Sequence, residues 1–515
     1  MVKRSKEINI PINRAEGDLE VKVEVEDGVV REAYSVGTLY RGFEAMMRGR
    51  GALDGLVITP RICGICSITH LTAAVMALDR IAGVTPPDNA LRLRNLALMV
   101  ETVQSDVRQS ILMFMADFTN PGAYGTHSLA SEARARFQPL AGRSVVEVIR
   151  ESKRLVQVIA IIGGQWPHTS FMVPGGVTAI PDVAKLLQSR IIIERFQAWY
   201  ERSILGCSVA RWQAIRSGAE LEAWLEGRPE HRDGTVGFFL RFCREAGLQH
   251  LGGGPNRFLS YGNLPLPEET AVRGVEGRLL PAGHAVADRV SPFDPQQISE
   301  DISHSWYEQG GGPKHPYDGA TTPYASGQSG QRYSWVKAPR YAGEVVETGP
   351  LAEMVVAANP LFLDLLAGGG ANVMVRQLAR LVRPAFLLEP MEQWLGETAA
   401  CRDAGFYRSV RTIPDGAGAG LLQAARGALG HWVTVQDEKI VSYQVITPTA
   451  WNGSPRDEQG RRGAWEEALI GAPLADIGNP VQVGHIIRSF DPCLVCAVHC
   501  LTKEANGNSR WRGRR

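Results

Sequence analysis

Apolar residues first alternate along this chain and then fall into helical spacing. From Leu19 the pattern runs Val21, Val23, Val25, breaks at Asp27-Gly28, and resumes at Val29 as far as Ser35. Alternation on both sides of an Asp-Gly pair predicts a β-hairpin. From Asn89 to Phe118 the apolar positions Leu91, Leu96, Met99, Val103 and Val107 predict a long helix. Further long helical stretches are predicted near Leu129–Ile162, Asp182–Ser217 and Met354–Leu381. In the first of these, Leu155, Val158, Ile159 and Ile162 keep one apolar face. Helices of this length pack as a bundle. Leu251 to Pro350 is different: it is rich in Gly, Pro, Ser and Tyr, and contains Gly310-Gly311-Gly312-Pro313. It predicts short strands and irregular loops. The last third alternates short strands (Trp432–Val435, Ile440–Val445) with a helix near Arg462–Leu469. The predicted fold is α+β and mainly helical, a central long-helix bundle with small peripheral β-sheets.

Composition narrows the function without naming it. At 515 residues the chain can bury a large core. A net charge of +1 suggests no role on nucleic acid or a membrane surface. The eight cysteines are Cys63, Cys66, Cys207, Cys243, Cys401, Cys493, Cys496 and Cys500, and their scatter is not a disulfide framework. The start lacks the apolar stretch of a signal peptide, and no run approaches the ~20 apolar residues of a membrane span. Reduced thiols without a leader predict a cytoplasmic protein.

The chemistry lies in two Cys-x-x-Cys pairs. Arg61-Ile62-Cys63-Gly64-Ile65-Cys66 is followed by His70, and Asp491-Pro492-Cys493-Leu494-Val495-Cys496 by His499. Four thiolates and two imidazoles form a soft-metal ligand set. If the pairs meet, both chain ends converge on one buried metal site. A structural zinc site uses the same ligands, but its pairs usually lie within a few tens of residues. More than 400 residues separate Cys66 from Cys493. Two separate thioredoxin-like motifs would each need a βαβ setting, and Asp-Pro before Cys493 argues against that.

The flanking residues resemble the large, catalytic subunit of nickel–iron hydrogenases. The similar blocks are Arg-x-Cys-Gly-x-Cys-x-x-x-His and Asp-Pro-Cys-x-x-Cys-x-x-His, with Arg41-Gly42-Phe43-Glu44 and Gly164-Gln165-Trp166-Pro167-His168. Pro174-Gly175-Gly176-Val177, Lys337-Ala338-Pro339-Arg340-Tyr341, Arg426 to Trp432 and Pro448 to Asn452 continue them in the family's order. The resemblance covers nearly the whole chain and is strongest to bacterial uptake and high-affinity hydrogenases. A related quinone-reductase subunit of respiratory complexes shares the fold but not the four Cys. A hydrogen sensor or low-turnover relative with the same ligands is the alternative function.

The resemblance implies the site residue by residue. Cys63 and Cys493 would be terminal ligands of nickel. Cys66 and Cys496 would bridge nickel to an iron carrying carbon monoxide and cyanide. His70, one helical turn past Cys66, would donate toward a bridging sulfur. Glu16 would be the first proton acceptor beyond Cys493. Arg426 would stand over the open metal position with Asp491 as its partner. Glu44, a backbone carbonyl near Val445, and His499 would hold a hard ion, Mg2+ or Fe2+. Two departures affect these surroundings: Ala425 stands where many relatives have Pro, and Ser105, beside Asp106, stands where some have Asp.

None of the isolated cysteines can hold an iron–sulfur cluster. Electrons from hydrogen would therefore leave through an obligate iron–sulfur small subunit, in heterodimers that associate further. Residues 1–499 would form a single domain. Residues 500–515, the C-terminal extension, would be removed by an endopeptidase after maturation factors insert nickel. Association with a membrane, or export, would come through partners.

Overall fold

The structure is a computed structural model that describes residues 6–267, 277–308, 311–319, 322–324 and 331–497. His499, the 500–515 extension and Gly310 lie outside the described residues.

The predicted hairpin is present. Leu19–Glu26 pairs antiparallel with Val29–Gly37, and Lys6–Pro11 adds an edge strand to Leu19–Glu26. Leu19, Val21, Val23 and Val25 all point inward. Asp27 and Gly28 both take positive φ, 52° and 75°, which is the geometry of a two-residue turn matched to strand twist.

The centre of the molecule is helical. Asp88–Arg108 is buried around almost its whole circumference, although its sequence is rich in polar residues. Several of its charged side chains are paired. Arg94 binds Asp79 at 2.6 Å, Arg92 binds Glu397 at 2.9 Å, and Asp106 takes two bonds from Arg383. Burying this helix is tolerable because Arg92, Arg94 and Asp106 meet counter-charges and Glu101 is hydrogen-bonded. Ser67–Ile81, Arg143–Leu155, Val183–Trp199, Val373–Val382, Leu388–Ala400 and Val481–Ser489 are the other main helices.

Three predicted stretches are divided. Leu129–Ile162 becomes Ala130–Phe137, Arg143–Leu155 and Gln157–Gly163. Pro139 forces Gln138 into an extended conformation (ψ 124°) and ends the first piece. Met354–Leu381 breaks before Pro360, where the Asn359 side chain caps a new helix, and again at Gly370. The Asp182–Ser217 stretch becomes Val183–Trp199, a widened π-turn at Tyr200–Leu205 and the short helix Val209–Gln213. A π-turn likewise extends the central helix through Gln109–Phe114.

Among the described residues, five small sheets surround the helices. The most buried runs Gly416–Ala424, Gly427–Gln436, Lys439–Ile446, all antiparallel. It lies directly on the Ser67–Ile81 helix: a methyl group added at Gly420 would overlap the Ala73 carbonyl oxygen. One continuous hydrophobic core runs from Ile10 to Ala497. The chain ends are joined by backbone: Leu494 N donates to the Glu16 carbonyl at 2.7 Å. Gly17, at φ +85°, has no side chain to collide with Val495 there. No single helix among the described residues is long and apolar enough to cross a membrane. One pair, Pro350–Val356 with Pro360–Gly369, reaches that composition only when joined, and is bent by 108°.

Candidate metal centre

The four motif cysteines meet. Their sulfurs all lie within 4.8 Å of one another and all four residues are buried. Cys63 Sγ is 3.6 Å from Cys493 Sγ, Cys66 Sγ is 3.4 Å from Cys496 Sγ, and Cys493 Sγ is 2.9 Å from Cys496 Sγ. Cys63 sits in the loop after the Thr59–Arg61 turn, and Cys66 starts the Ser67–Ile81 helix. Cys493 follows Asp491, whose positive φ of 58° turns the chain, and its N–H donates to Thr449 Oγ1 at 3.0 Å. Cys496 lies in the short Leu494–Ala497 helix. Bonds from Cys493, Cys496 and Cys66 hold the Cys63 thiol well below its usual range. The Cys493 contact pushes Cys66 up, and burial pushes Cys496 up. One site is thus anionic before any cation binds, a donor set suited to a soft metal.

The loops carrying these cysteines are fixed by residues that motif reading left without a role. Arg41 donates to the carbonyls of Ile62, Arg61 and Val495, so one guanidinium ties both Cys loops together. Glu101 accepts from Ile68 N at 2.8 Å, Thr69 N at 3.0 Å and Thr69 Oγ1 at 2.7 Å. It satisfies the open N–H groups at the start of the helix that Cys66 begins. Burial raises its carboxyl to about 7.

Arg426 and Asp491 form an ion pair at 3.2 Å, and Arg380 approaches Asp491 from the other side at 3.8 Å. Burial works against the Arg426 charge, but Asp491 and the thiolates outweigh it and raise its proton affinity further. Arg426 is therefore a fixed cation. Asp106 does not face the sulfurs. It holds Arg383, which also binds Glu353 at 2.6 Å and the Ala425 carbonyl at 2.6 Å. Asp106 thus reaches the residue before Arg426 through Arg383 and the Ala425 carbonyl. Residues this far apart in sequence carry no local signal; only the fold brings them together.

Glu16 forms a backbone bridge with Cys493. Its side chain opens on a cavity of about 70 Å³ lined also by Gln104, Ser105, Arg108, Arg426 and Asp491. Burial, then the Cys63 thiolate, raises the Glu16 carboxyl, while Arg426 pulls it back. Ser105 lines the same cavity. The cavity also touches Gln109 and Met113 of the π-turn, so the widened helix borders the site.

His70 is buried, and desolvation lowers it to about 4. Its ring partner is another histidine: His70 Nδ1 lies 3.0 Å from His431 Nε2. Glu44 is not gathered with the sulfurs or with another metal-ligating cluster among the described residues. Its carboxylate meets the Lys337 ammonium at 3.0 Å and accepts from the Val445 N–H at 3.0 Å. Lys337 also binds Glu300 at 2.8 Å and Gln444 at 3.0 Å. So the N–H of Val445 faces Glu44.

Comparison with known proteins agrees with this geometry. The model of the family described as nickel-dependent hydrogenase matches residues 41–116 and 243–499. The periplasmic [NiFeSe] hydrogenase large subunit of Desulfomicrobium baculatum is 31% identical, with 96% of this chain and 95% of that protein covered. The uptake hydrogenase large subunit of Bradyrhizobium diazoefficiens is 27% identical over 96% and 95%. The reduced Ni-Fe-Se hydrogenase of D. vulgaris Hildenborough superposes with a TM-score of 0.81 at 30% identity, covering 96% of this chain and 100% of that one. All four positions gathered here are cysteine, so the donors are all sulfur. The cytoplasmic expectation is corrected by the Desulfomicrobium relative, which is periplasmic. Free thiols misled it: cysteines that serve as metal ligands have no need of a reducing compartment.

Proposed function

The chain belongs to the nickel-dependent hydrogenase family, and from that premise we propose that it is the large, catalytic subunit of an uptake hydrogenase, oxidising H2 and passing the electrons to an iron–sulfur small subunit. One observation carries the reading: four buried cysteine sulfurs from opposite ends of the chain lie within 4.8 Å of one another. The 70 Å³ cavity borders Arg426, whose Nη1 has no hydrogen-bond partner among the described residues. A structural zinc site is closed by its four ligands. Here a small molecule has room beside a fixed cation.

The donor set fits a nickel–iron centre, which when bound would supply the heterolytic cleavage of H2. Cys63, Cys66, Cys493 and Cys496 would hold it. The Cys493 sulfur, on a residue whose backbone bridges that of Glu16, would take the first proton. Glu16, with its raised proton affinity, would receive that proton and release it to water in the cavity. Arg426, kept cationic by Asp491, would polarise the small molecule without acting as a base.

The finer cofactor reading belongs to the same proposal: carbon monoxide and cyanide on iron, and Mg2+ or Fe2+ held by Glu44, the Val445 carbonyl and His499. Such an ion would compete with the Lys337 ammonium for Glu44. The partner has a suitable face. Leu53, Ile180 and Tyr407 are exposed around an apolar hollow of about 780 Å³. That hollow adjoins the Asp54–Ile58 helix, which leads into the Cys63 loop. Apolar exposure on this scale marks interaction sites. Residues 1–499 are proposed as the working unit, with the 500–515 extension removed after nickel insertion.

Metal analysis of the purified complex, together with H2-dependent reduction of a dye, tests the function. Nickel and iron in the chain with H2 oxidation support it. Zinc alone, without H2 oxidation, overturns it.

A further inference from the structure

Three buried side chains stand end to end between the sulfur cluster and the most buried sheet. His70 Nδ1 is 3.0 Å from His431 Nε2, and His431 Nδ1 is 2.9 Å from the Tyr443 hydroxyl. His70 lies one turn beyond Cys66 on the Ser67–Ile81 helix. His431 and Tyr443 come from the adjacent strands Gly427–Gln436 and Lys439–Ile446. All three residues are at most 2% exposed.

Each of the two hydrogen bonds needs one proton, and a neutral imidazole carries one N–H. His70 is fully buried, where a charged ring is disfavoured, and burial raises Tyr443 so that it retains its proton. Two proton orders are then open. In the first, Tyr443 O–H donates to His431 Nδ1, and His431 Nε2–H donates to His70 Nδ1. The proton of His70 is then on Nε2. In the reverse order, His70 Nδ1–H donates to His431 Nε2, and His431 Nδ1–H donates to the Tyr443 oxygen. The Tyr443 proton would then lack an acceptor, because the bond to His431 is its only hydrogen bond among the described residues. A stranded buried donor is costly. The first order satisfies the hydroxyl and places the remaining His70 proton on Nε2.

We propose that Tyr443 and His431 are positioning residues that fix His70 as the Nε2–H tautomer, so that the metal centre always meets an N–H donor and never a bare nitrogen. The consequence for the metals rests on the proposed function; the proton order is a property of the chain. Second-shell bonds of this kind fix the orientation and tautomer of groups around metal sites, and donors to metal-bound sulfur tune reduction potential.

A long-range 1H–15N correlation spectrum of the full chain, labelled with 15N-histidine, reads the tautomers directly. His70→Gln and His431→Gln identify the signals. Nε2–H at both rings is expected; Nδ1–H at either ring, or a doubly protonated His70, overturns the proposal. Tyr443→Phe should introduce Nδ1–H populations, and an unchanged single tautomer would remove Tyr443 from the device. In the nickel-loaded complex, Tyr443→Phe should keep its nickel and lower the midpoint potential of the centre. An unshifted potential overturns the claimed effect on the metals. A wild-type complex without nickel would overturn the proposed function and leave the proton order to the spectrum.

Discussion

Glu16 is useful because of where its backbone is pinned. The bridge to Cys493 and the Leu494 N–H fix its main chain at the C-terminal motif, while its carboxyl opens on the cavity. Glu16→Gln keeps the shape and removes the proton carrier. Nickel should stay bound, and H2 oxidation should fall by about 10²- to 10⁴-fold. Hydrogen–deuterium exchange checks it: a wild-type exchange rate would exclude Glu16 from the route. A second buried carboxyl, Glu466, gives a test of stability. It accepts from Ser35 N at 2.8 Å and Tyr333 O–H at 2.7 Å, and burial raises it from 4.5 to about 7. Its folded pKa is above its unfolded one, so the folded state binds the extra proton. Its contribution is full below pH 4.5 and is lost as pH rises through 7. Denaturation of wild type against Glu466→Gln should show the difference shrinking over that window by about 3 kcal/mol. A difference that grows with pH would contradict the assignment. Glu16 was legible in the sequence only through its motif. The buried network Asp106–Arg383–Glu353 was not, because neither spacing nor periodicity links residues 106, 353 and 383.

At the scale of elements, local pattern predicted the hairpin and the positions of the helices, while their breaks followed proline geometry and tertiary contacts. The Gly416–Ala424 strand is a case that periodicity alone does not reveal. Gly418 and Gly420 face the Ser67–Ile81 helix, and their missing side chains let its backbone lie against the strand at Ala77 and Ala73. That contact positions the helix that begins at Cys66. Gly420→Ala should therefore push the helix away, destabilising the chain by at least the ~1–3 kcal/mol of an overpacked core, and should reduce nickel retention. Thermal unfolding with metal analysis checks both. Wild-type stability and nickel content would show that the helix is not set by this contact.

Over the whole molecule, the chain closes on itself: the first described strands, the Cys63 loop and the last helix share one core and one site. The matching cysteine pairs made this closure legible from sequence. The proton chain through His70, His431 and Tyr443 was not, since it depends on a strand register formed between residues 427 and 446. Closure also bears on the extension beyond His499. A polar tail next to a buried sulfur site would leave many groups without partners, so the intact mass of the nickel-loaded, active chain should end at His499. A mass that includes Cys500 to Arg515 would contradict removal. The central claim is that these four sulfurs bind nickel, and nickel-edge X-ray absorption of the purified complex tests it most directly. The account predicts a nickel signal dominated by sulfur neighbours at roughly 2.3 Å, the usual metal–thiolate distance, and weakened by Cys63→Ser. Nickel surrounded only by nitrogen and oxygen, or no nickel at all, would contradict it.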